Sequence, residues 1–204
     1  MESMSEKDFY RVRLRFIDLI KSFFISEPDA EKMSRWRGIF TSLDAEHINP
    51  LFDGAVSTCR GLLAQQNLKD LQDEYYSLFV DPFSEQLIAT NASFYIDGRN
   101  HGATLAKFRG FLGEAGLVKE KSVIETEDSL VVMLDSLARL IEEEDGGNHE
   151  SREFQTRLIG EFLEPLVERM YHALEADGRT KFYVSCGKFL KGYLDLERGL
   201  MMEV

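Results

Sequence analysis

The chain has little of what builds fibrous, low-complexity or membrane-spanning proteins. Its 204 residues include only 4 prolines and 15 glycines. No run approaches the roughly 20 consecutive apolar residues that span a bilayer. The first eight residues are acidic and polar, without the basic and then apolar order of a signal peptide. We therefore expect a chain that is made in the cytoplasm and stays there, with no membrane insertion.

Cysteine is also scarce, because Cys59 and Cys186 are the only two. The Cys-x-x-Cys and Cys/His spacings of zinc sites are missing. Two thiols suffice for one disulfide, but a reduced pair of small core residues suits a cytoplasmic chain better. We expect no metal site and no cofactor.

Basic residues are outnumbered, with 24 Lys and Arg against 36 Asp and Glu, a net charge of −12. Nucleic acids and anionic membrane surfaces need clustered Lys and Arg, so both are excluded as partners. Net acidity favours a basic partner through electrostatic steering. The alternative is that acidity only keeps the protein soluble.

What the sequence does have is apolar residues at helical spacing. Hydrophobic residues make up 44% of the chain and include 15 Phe, and they recur every three to four positions, as on one helix face. The first stripe contains Phe9, Val12, Phe16, Ile20 and Phe23. Ser5 is its expected N-cap, and Pro165 is expected to start or kink a segment of the penultimate helix.

This pattern predicts an all-α fold, a single-domain bundle of about eight to ten helices over residues 1–204. An irregular loop is expected at about residues 80–91 and a connector at about 117–125. A helix is expected from Thr126 to about Glu144. Residues 93–96 are the one β-prone run, too short and isolated to form a sheet.

Signatures of catalysis are missing. The sequence contains no Gly-rich phosphate loop, no Gly-x-Ser-x-Gly elbow and no His-Glu-x-x-His pair. Glu168 and His172 lie four residues apart, which we interpret as a surface pair and not as part of a carboxylate-bridged metal site. The sequence therefore predicts no enzyme.

Three segments combine aromatic and polar residues outside ordinary core spacing: residues 73–83, 92–100 and 125–130. Each also has a purely structural interpretation. Tyr75, Leu78 and Phe79 have the spacing of a core stripe, and Asp97 precedes a glycine as in a common turn. Residues 125–128 are typical of an acidic first helical turn, which the helix dipole favours.

These segments resemble signatures of the TorD/DmsD/NarJ family of redox-enzyme maturation chaperones. Residues 75–79, Tyr-x-x-Leu-Phe before a proline-containing loop, resemble the first signature. Residues 93–97 are similar to the Ser-Val-Tyr-Leu-Asp segment, and residues 108–117 to a helix ending in Ala-Gly-Leu. Residues 125–129 fall where the family has Glu-Pro-x-Asp-His, and residues 182–183 resemble its terminal Phe-Tyr.

The resemblance covers about Leu71 to Glu197, with departures. Thr126 and Ser129 replace the proline and histidine of the third signature, so no role resting on that histidine transfers. The loop keeps only Pro82.

The resemblance implies a TorD-like helical chaperone without catalysis. Its partners would be the apo form of a molybdenum-type oxidoreductase catalytic subunit and its basic twin-arginine signal peptide. Binding would assist cofactor insertion and delay export. The peptide-binding residues it implies are Tyr75, Leu78, Phe79, Tyr95, Asp97, Glu125 and Asp128, and we expect Phe83 to line the same site. The aromatic residues would line an apolar groove, and the carboxylates would face arginines, whose planar forks suit them.

Two alternatives remain open. One is a NarJ-type assembly chaperone for a catalytic subunit that is not exported. The other is a nucleotide-hydrolysing enzyme, for which the sequence has no phosphate-binding motif. A monomer or a homodimer is expected in either case.

Overall fold

The computed structural model describes residues 6–84 and 87–202, and their regular structure is entirely helical. The predicted all-α fold is confirmed. The helices are α1 (Glu6–Phe24), α2 (Ala30–Leu43), α3 (Pro50–Gln65), α4 (Leu68–Phe79), α5 (Ala92–Asp97), α6 (Ala103–Glu114), α7 (Leu130–Asp145), α8 (Ser151–Leu158), α9 (Glu164–Asp177) and α10 (Phe182–Met202). A π-helical segment, Ile159–Leu163, joins α8 to α9. The predicted Ser5 cap lies outside the described residues.

Local capping explains where several helices begin. Asn49 accepts a hydrogen bond from the backbone of Phe52 and is followed by Pro50, which suits the first helical position. Asn67 and Asp70 form a reciprocal capping box at the start of α4. Ser129 caps α7. The helix expected from Thr126 therefore begins at Leu130, because residues 126–129 form the turn that precedes this cap.

The β-prone run at residues 93–96 is helical and lies in α5. An isolated antiparallel bridge between Asn91 and Ser129 precedes it. Backbone bonds from Ala92 to Asp128 (2.9 Å) and from Leu130 to Thr90 (2.8 Å) hold the two chain segments together there. Tertiary contacts thus override the local propensity of this run.

Pro165 is the second residue of α9 and follows the π-helical segment directly. Proline has no N–H to donate to the carbonyl four residues earlier. The Glu164 N–H bonds instead to the carbonyl of Ile159, five residues earlier. The predicted irregularity at Pro165 is therefore a wider helical turn.

The backbone divides into two compact units. Within the described residues, unit 1 comprises 6–21, 90–166 and 201–202, and unit 2 comprises 22–84, 87–89 and 167–200. No helix in the described part of the chain has the length and apolarity required to cross a membrane.

Unit 2 is built around aromatic rings. Phe23 lies 5.2 Å from Trp36 and 6.0 Å from Phe40 between ring centroids, and Trp36 lies 5.5 Å from Phe182. All four side chains are buried. The Trp36 indole N–H donates to the hydroxyl of Ser22 at 2.8 Å, which satisfies its one polar group.

The two cysteines lie in the same unit. Cys59 and Cys186 are buried and free, in keeping with the expected reduced core pair. Burial raises the pKa of Cys186 well above its ordinary value, and the neighbouring Cys59 thiol adds to this. The reactive thiolate form is therefore disfavoured.

Helix α10 approaches the start of α3 so closely that only glycine fits at Gly192. A Cβ atom there would lie 2.9 Å from the Phe52 Cα atom and backbone nitrogen. Asn49 also donates its side-chain amide to the Gly192 carbonyl at 3.2 Å. This contact fixes α10 against α3 within unit 2.

We expect Gly192→Ala to lower the free energy of unfolding by about 1–3 kcal/mol, because backbone atoms must move to admit the methyl group. Gly199→Ala is the matched control, since it lies in the same helix with nothing within 4 Å of its Cβ position. Alanine there should be neutral or stabilise by up to about 1 kcal/mol. Urea unfolding of both variants checks the contrast, and equal effects would contradict the close approach.

The core of unit 1 is a second aromatic cluster. Phe162 lies 5.0 Å from Phe108 and 5.4 Å from Phe111, and all three are buried. Beside it, the inner face of α7 is buried along its length, from Leu130 to Glu144.

Candidate functional site

Four of the predicted peptide-binding residues lie in unit 2, at the end of α4 and in the loop after it. Tyr75 and Leu78 are buried, and Phe79 is half-buried. The Tyr75 and Phe79 rings lie 5.9 and 5.3 Å from the ring of Tyr183 in α10. These three residues therefore pack in the core of unit 2. This packing agrees with the interpretation of their spacing as a core stripe.

Phe83 is different, because 92% of its surface is exposed. Three further apolar side chains nearby in sequence are also exposed: Tyr76, Val80 and Leu87. We call these four residues the α4-loop surface. Tyr76 and Val80 lie one helical turn apart on the same side of the end of α4. Exposed large apolar side chains grouped in this way are typical of sites that bind a partner.

The loop that carries Phe83 is held on both sides. The Asp81 carboxylate accepts the Phe83 N–H at 3.0 Å, and Arg179 donates to the hydroxyl of Ser84 at 3.3 Å. The Ile88 N–H bonds to the Leu78 carbonyl at 2.8 Å. Phe83 is thus exposed on a tethered loop.

Glu74 is a structural residue that the sequence did not single out. Its carboxylate accepts hydrogen bonds from the Thr180 hydroxyl, from the Phe182 N–H at 3.2 Å and from the Gln66 amide at 2.7 Å. It therefore caps the N-terminus of α10, where the helix dipole favours a negative charge. The only available signal was its place in the first family-like segment.

The other four predicted residues lie in unit 1. Asp97 is half-buried, and its carboxylate accepts the N–H of Thr104 at 2.8 Å and its hydroxyl at 3.0 Å. It thereby caps α6, for which the preceding Gly102 offers no side chain. A Cβ atom at Gly102 would lie 2.2 Å from the Asp97 carboxylate, so glycine is required for this cap.

Asp128 is completely buried. Its carboxylate accepts the Ser93 N–H at 2.8 Å and the Thr126 hydroxyl at 2.7 Å. Burial raises the pKa of Asp128, but the hydrogen bonds from Ser93, Thr126 and Asn91 outweigh burial, so that its pKa lies below the ordinary value. The group is an ionised cap of α5, a helix whose own N-cap residue, Asn91, makes no capping bond with its side chain.

The prediction that Asp97 and Asp128 face a partner's arginines stays a prediction, and the structure gives both carboxylates hydrogen-bond partners within the protein. A direct contact requires an accessible carboxylate, whereas Asp128 is inaccessible and Asp97 already serves Thr104. Glu125 is exposed, and its carboxylate has no hydrogen bond or ion pair within the described residues. Tyr95 is half-buried, with its ring 5.2 Å from that of Phe94, which is 40% exposed.

The described residues contain no group of three or more His, Cys, Asp or Glu side chains placed to hold a metal ion. Glu168 and His172 form the expected surface pair, with 2.9 Å between carboxylate oxygen and ring nitrogen. The described residues thus present exposed apolar side chains on a capped helical frame, an arrangement typical of surfaces that bind a partner.

Comparisons with known proteins agree with this frame. The family model described as nitrate reductase delta subunit matches residues 45–175. The chain is also similar to a crystal structure from Archaeoglobus fulgidus described as a candidate redox enzyme maturation protein. That match has 17% identity and a TM-score of 0.52, and covers 90% of this chain and 93% of the other. It shows a shared fold. No curated protein matches the sequence.

Proposed function

The chain belongs to the nitrate reductase delta subunit family, the NarJ/TorD-type chaperones, and we propose that it matures a molybdenum-type oxidoreductase in the cytoplasm. It binds the apo catalytic subunit and its basic twin-arginine signal peptide, assists cofactor insertion and delays export. It has no catalysis of its own. Binding alone delays export, because a signal peptide that is bound to the chaperone is kept from the export pathway.

The observation that supports this role best is the exposed Phe83 on its tethered loop. A signal peptide combines an apolar stretch with arginines. Anchoring the apolar stretch on the α4-loop surface removes Phe83 from water, and aromatic anchors commonly supply most of the affinity at such surfaces. The net charge of −12 attracts the basic end and raises the rate of encounter. Glu125, in unit 1, is the accessible carboxylate of the predicted set and is proposed, independently of the α4-loop surface, to bind an arginine.

Phe83→Ser should weaken binding of a synthetic twin-arginine peptide about 10-fold or more, because burying a large apolar side chain contributes about 1.5–3 kcal/mol. The melting temperature should hardly change, since Phe83 is 92% exposed. Ile48→Ser, at another exposed apolar position in unit 2, is the control and should bind normally. Isothermal titration measures both. Unchanged affinity in Phe83→Ser would refute this role of the α4-loop surface.

The description of the family as a nitrate reductase subunit also supports an assembly chaperone for a subunit that is not exported. The two roles differ in whether the client must carry a leader segment to be bound. Co-purification with a client whose leader segment has been deleted separates them. Retained association favours the assembly role, and loss of association favours leader binding.

A further inference from the structure

Helices α3 and α10 pack closely against each other within unit 2. The rings of Phe52 and Phe189 lie 4.4 Å apart between their centroids. Beside them, the Phe52 backbone meets Gly192 so closely that no side chain fits there, and Asn49 donates to the Gly192 carbonyl at 3.2 Å. The start of α3 is therefore fixed against the second half of α10.

Cys59 and Cys186 lie further along the same contact. Cys59 follows Phe52 by seven residues, about 10.5 Å of helix, and Cys186 precedes Gly192 by six, about 9 Å. The two cysteines therefore come level when α3 and α10 run antiparallel. Facing positions in closely packed helices have the Cα spacing of about 4.4–6.8 Å that a disulfide needs. The only two cysteines of the sequence thus become neighbours in the fold.

The closed contact protects both thiols. Cys59 and Cys186 are completely buried. Burial, and then a hydrogen bond with the Cys59 thiol, raises the pKa of Cys186 well above its ordinary value. Because the thiolate is the form that attacks an oxidant, the closed protein stays reduced. Oxidation therefore requires a local opening between α3 and α10, and its rate follows the population of the open form.

We propose that Cys59 and Cys186 form an oxidation-sensitive lock, which closes as an intramolecular disulfide between α3 and α10 on exposure to hydrogen peroxide. One thiolate attacks a peroxide oxygen, which gives a sulfenic acid and, with a proton, water. The second thiol attacks the sulfenic sulfur and releases another water molecule. The two thiols lose two electrons to the O–O bond, so that two thiols and one peroxide give one disulfide and two waters. The inference is independent of the proposed function.

The lock acts on the part of α10 that supports the end of α4. Tyr183 lies one turn before Cys186, and its ring packs 5.9 Å from that of Tyr75 and 5.3 Å from that of Phe79. A disulfide between positions 59 and 186 also closes a long loop and so restricts the unfolded chain. Oxidation therefore stabilises unit 2 at the helix pair on which α4 packs.

The products of oxidation test the lock in the native chain. Reduced protein is treated with hydrogen peroxide and denatured, and its remaining thiols are labelled with a maleimide and counted by mass spectrometry. We expect both thiols to disappear together, with the mass lower by two hydrogens, one cross-linked peptide containing Cys59 and Cys186, and full recovery with dithiothreitol. Unreacted thiols, sulfinic acids or disulfides between chains would each overturn the proposal.

Melting temperatures measure the effect of the lock on stability. Oxidation should raise the melting temperature of the wild type by about 5–10 °C, because a disulfide that closes a long loop stabilises the fold. Cys59→Ala and Cys186→Ala each leave one thiol without its partner and should show no such rise. A rise in either variant would show that the stabilisation comes from another reaction. The product analysis of the wild type decides the proposal even where a variant folds poorly.

The rate of oxidation tests the place of the opening. Gly192→Ala crowds the contact with Phe52 and should speed disulfide formation about 10-fold, since a weaker contact opens more often. Gly199→Ala is the matched control in the same helix, with nothing within 4 Å of its Cβ position, and should react at the rate of the wild type. Equal rates in the two variants would contradict a lock controlled by the contact between α3 and α10.

Discussion

Replacing Asp128 with alanine is expected to lower the free energy of unfolding by about 3–5 kcal/mol. The buried carboxylate accepts bonds from Ser93 and Thr126, and each bond to a charged group contributes about 1.5–3 kcal/mol. The Ser93 N–H, in a buried residue, would also lose its acceptor at the start of α5. Chemical unfolding followed by circular dichroism measures the change.

Glu125→Ala is the control for Asp128→Ala. Its carboxylate lies three residues away, is exposed and has no partner within the described residues, so stability should change by less than about 0.5 kcal/mol. Peptide titration adds a second readout. If the Asp128→Ala protein is stably folded but binds the twin-arginine peptide poorly, the result would support a direct contact between Asp128 and an arginine of the peptide.

The pH dependence of stability at the same position has a defined sign. The pKa of Asp128 is lowered below its ordinary value of 3.8 in the folded protein. A lowered pKa means that the stabilisation is complete above this ordinary value and disappears as the pH falls through the folded value. The difference in unfolding free energy between wild type and Asp128→Asn should therefore be constant near pH 6 and shrink below about pH 4.

The acidic residues of the family-like segments show what the sequence can and cannot predict. Glu74, Asp97 and Asp128 each cap the N-terminus of a helix to which they do not belong: α10, α6 and α5 respectively. A carboxylate suits a backbone N–H and an arginine equally well. The sequence therefore singled out Asp97 and Asp128 but could not identify their hydrogen-bond partners. Thr104 and Ser93 come close to these carboxylates only when the chain is folded.

Helix prediction succeeded where the signal was local. Each long helix buries a stripe of apolar residues at 3.6-residue spacing, and this spacing is present in the sequence. Residues 93–96 are β-prone in sequence and helical in the structure, because the cap at the start of their helix comes from Asp128, 35 residues away.

Phe83 lies between these cases. It follows Pro82, outside the stripe of α4, so the sequence placed it in a loop, and its exposure of 92% fits that placement. Tyr75, Leu78 and Phe79 shared the same segment but have core spacing, and they pack in the core. The spacing of these residues in the sequence was therefore enough to separate the exposed Phe83 from the three residues that pack in the core. The peptide-binding role of Phe83 and Glu125 stays a prediction.

A loss of stability as large as that of Asp128→Ala is expected in unit 1 from Glu144→Ala. Glu144 is buried on the inner face of α7, 3.4 Å from the buried Arg13, and accepts from Gln155 at 2.9 Å. Gln155 in turn accepts from Arg13 at 2.6 Å. Removing the carboxylate takes one counter-charge away from a buried guanidinium, and breaking such a buried pair costs about 3–5 kcal/mol.

A double-mutant cycle separates the charge from the packing. The pair Arg13→Met and Glu144→Leu should be far more stable than Glu144→Ala, because apolar residues of similar volume often replace a buried ion pair at little cost. Glu142→Ala, two residues away on the exposed side, should shift stability by less than about 0.5 kcal/mol. Additive effects of the single changes would show that Arg13 and Glu144 are independent.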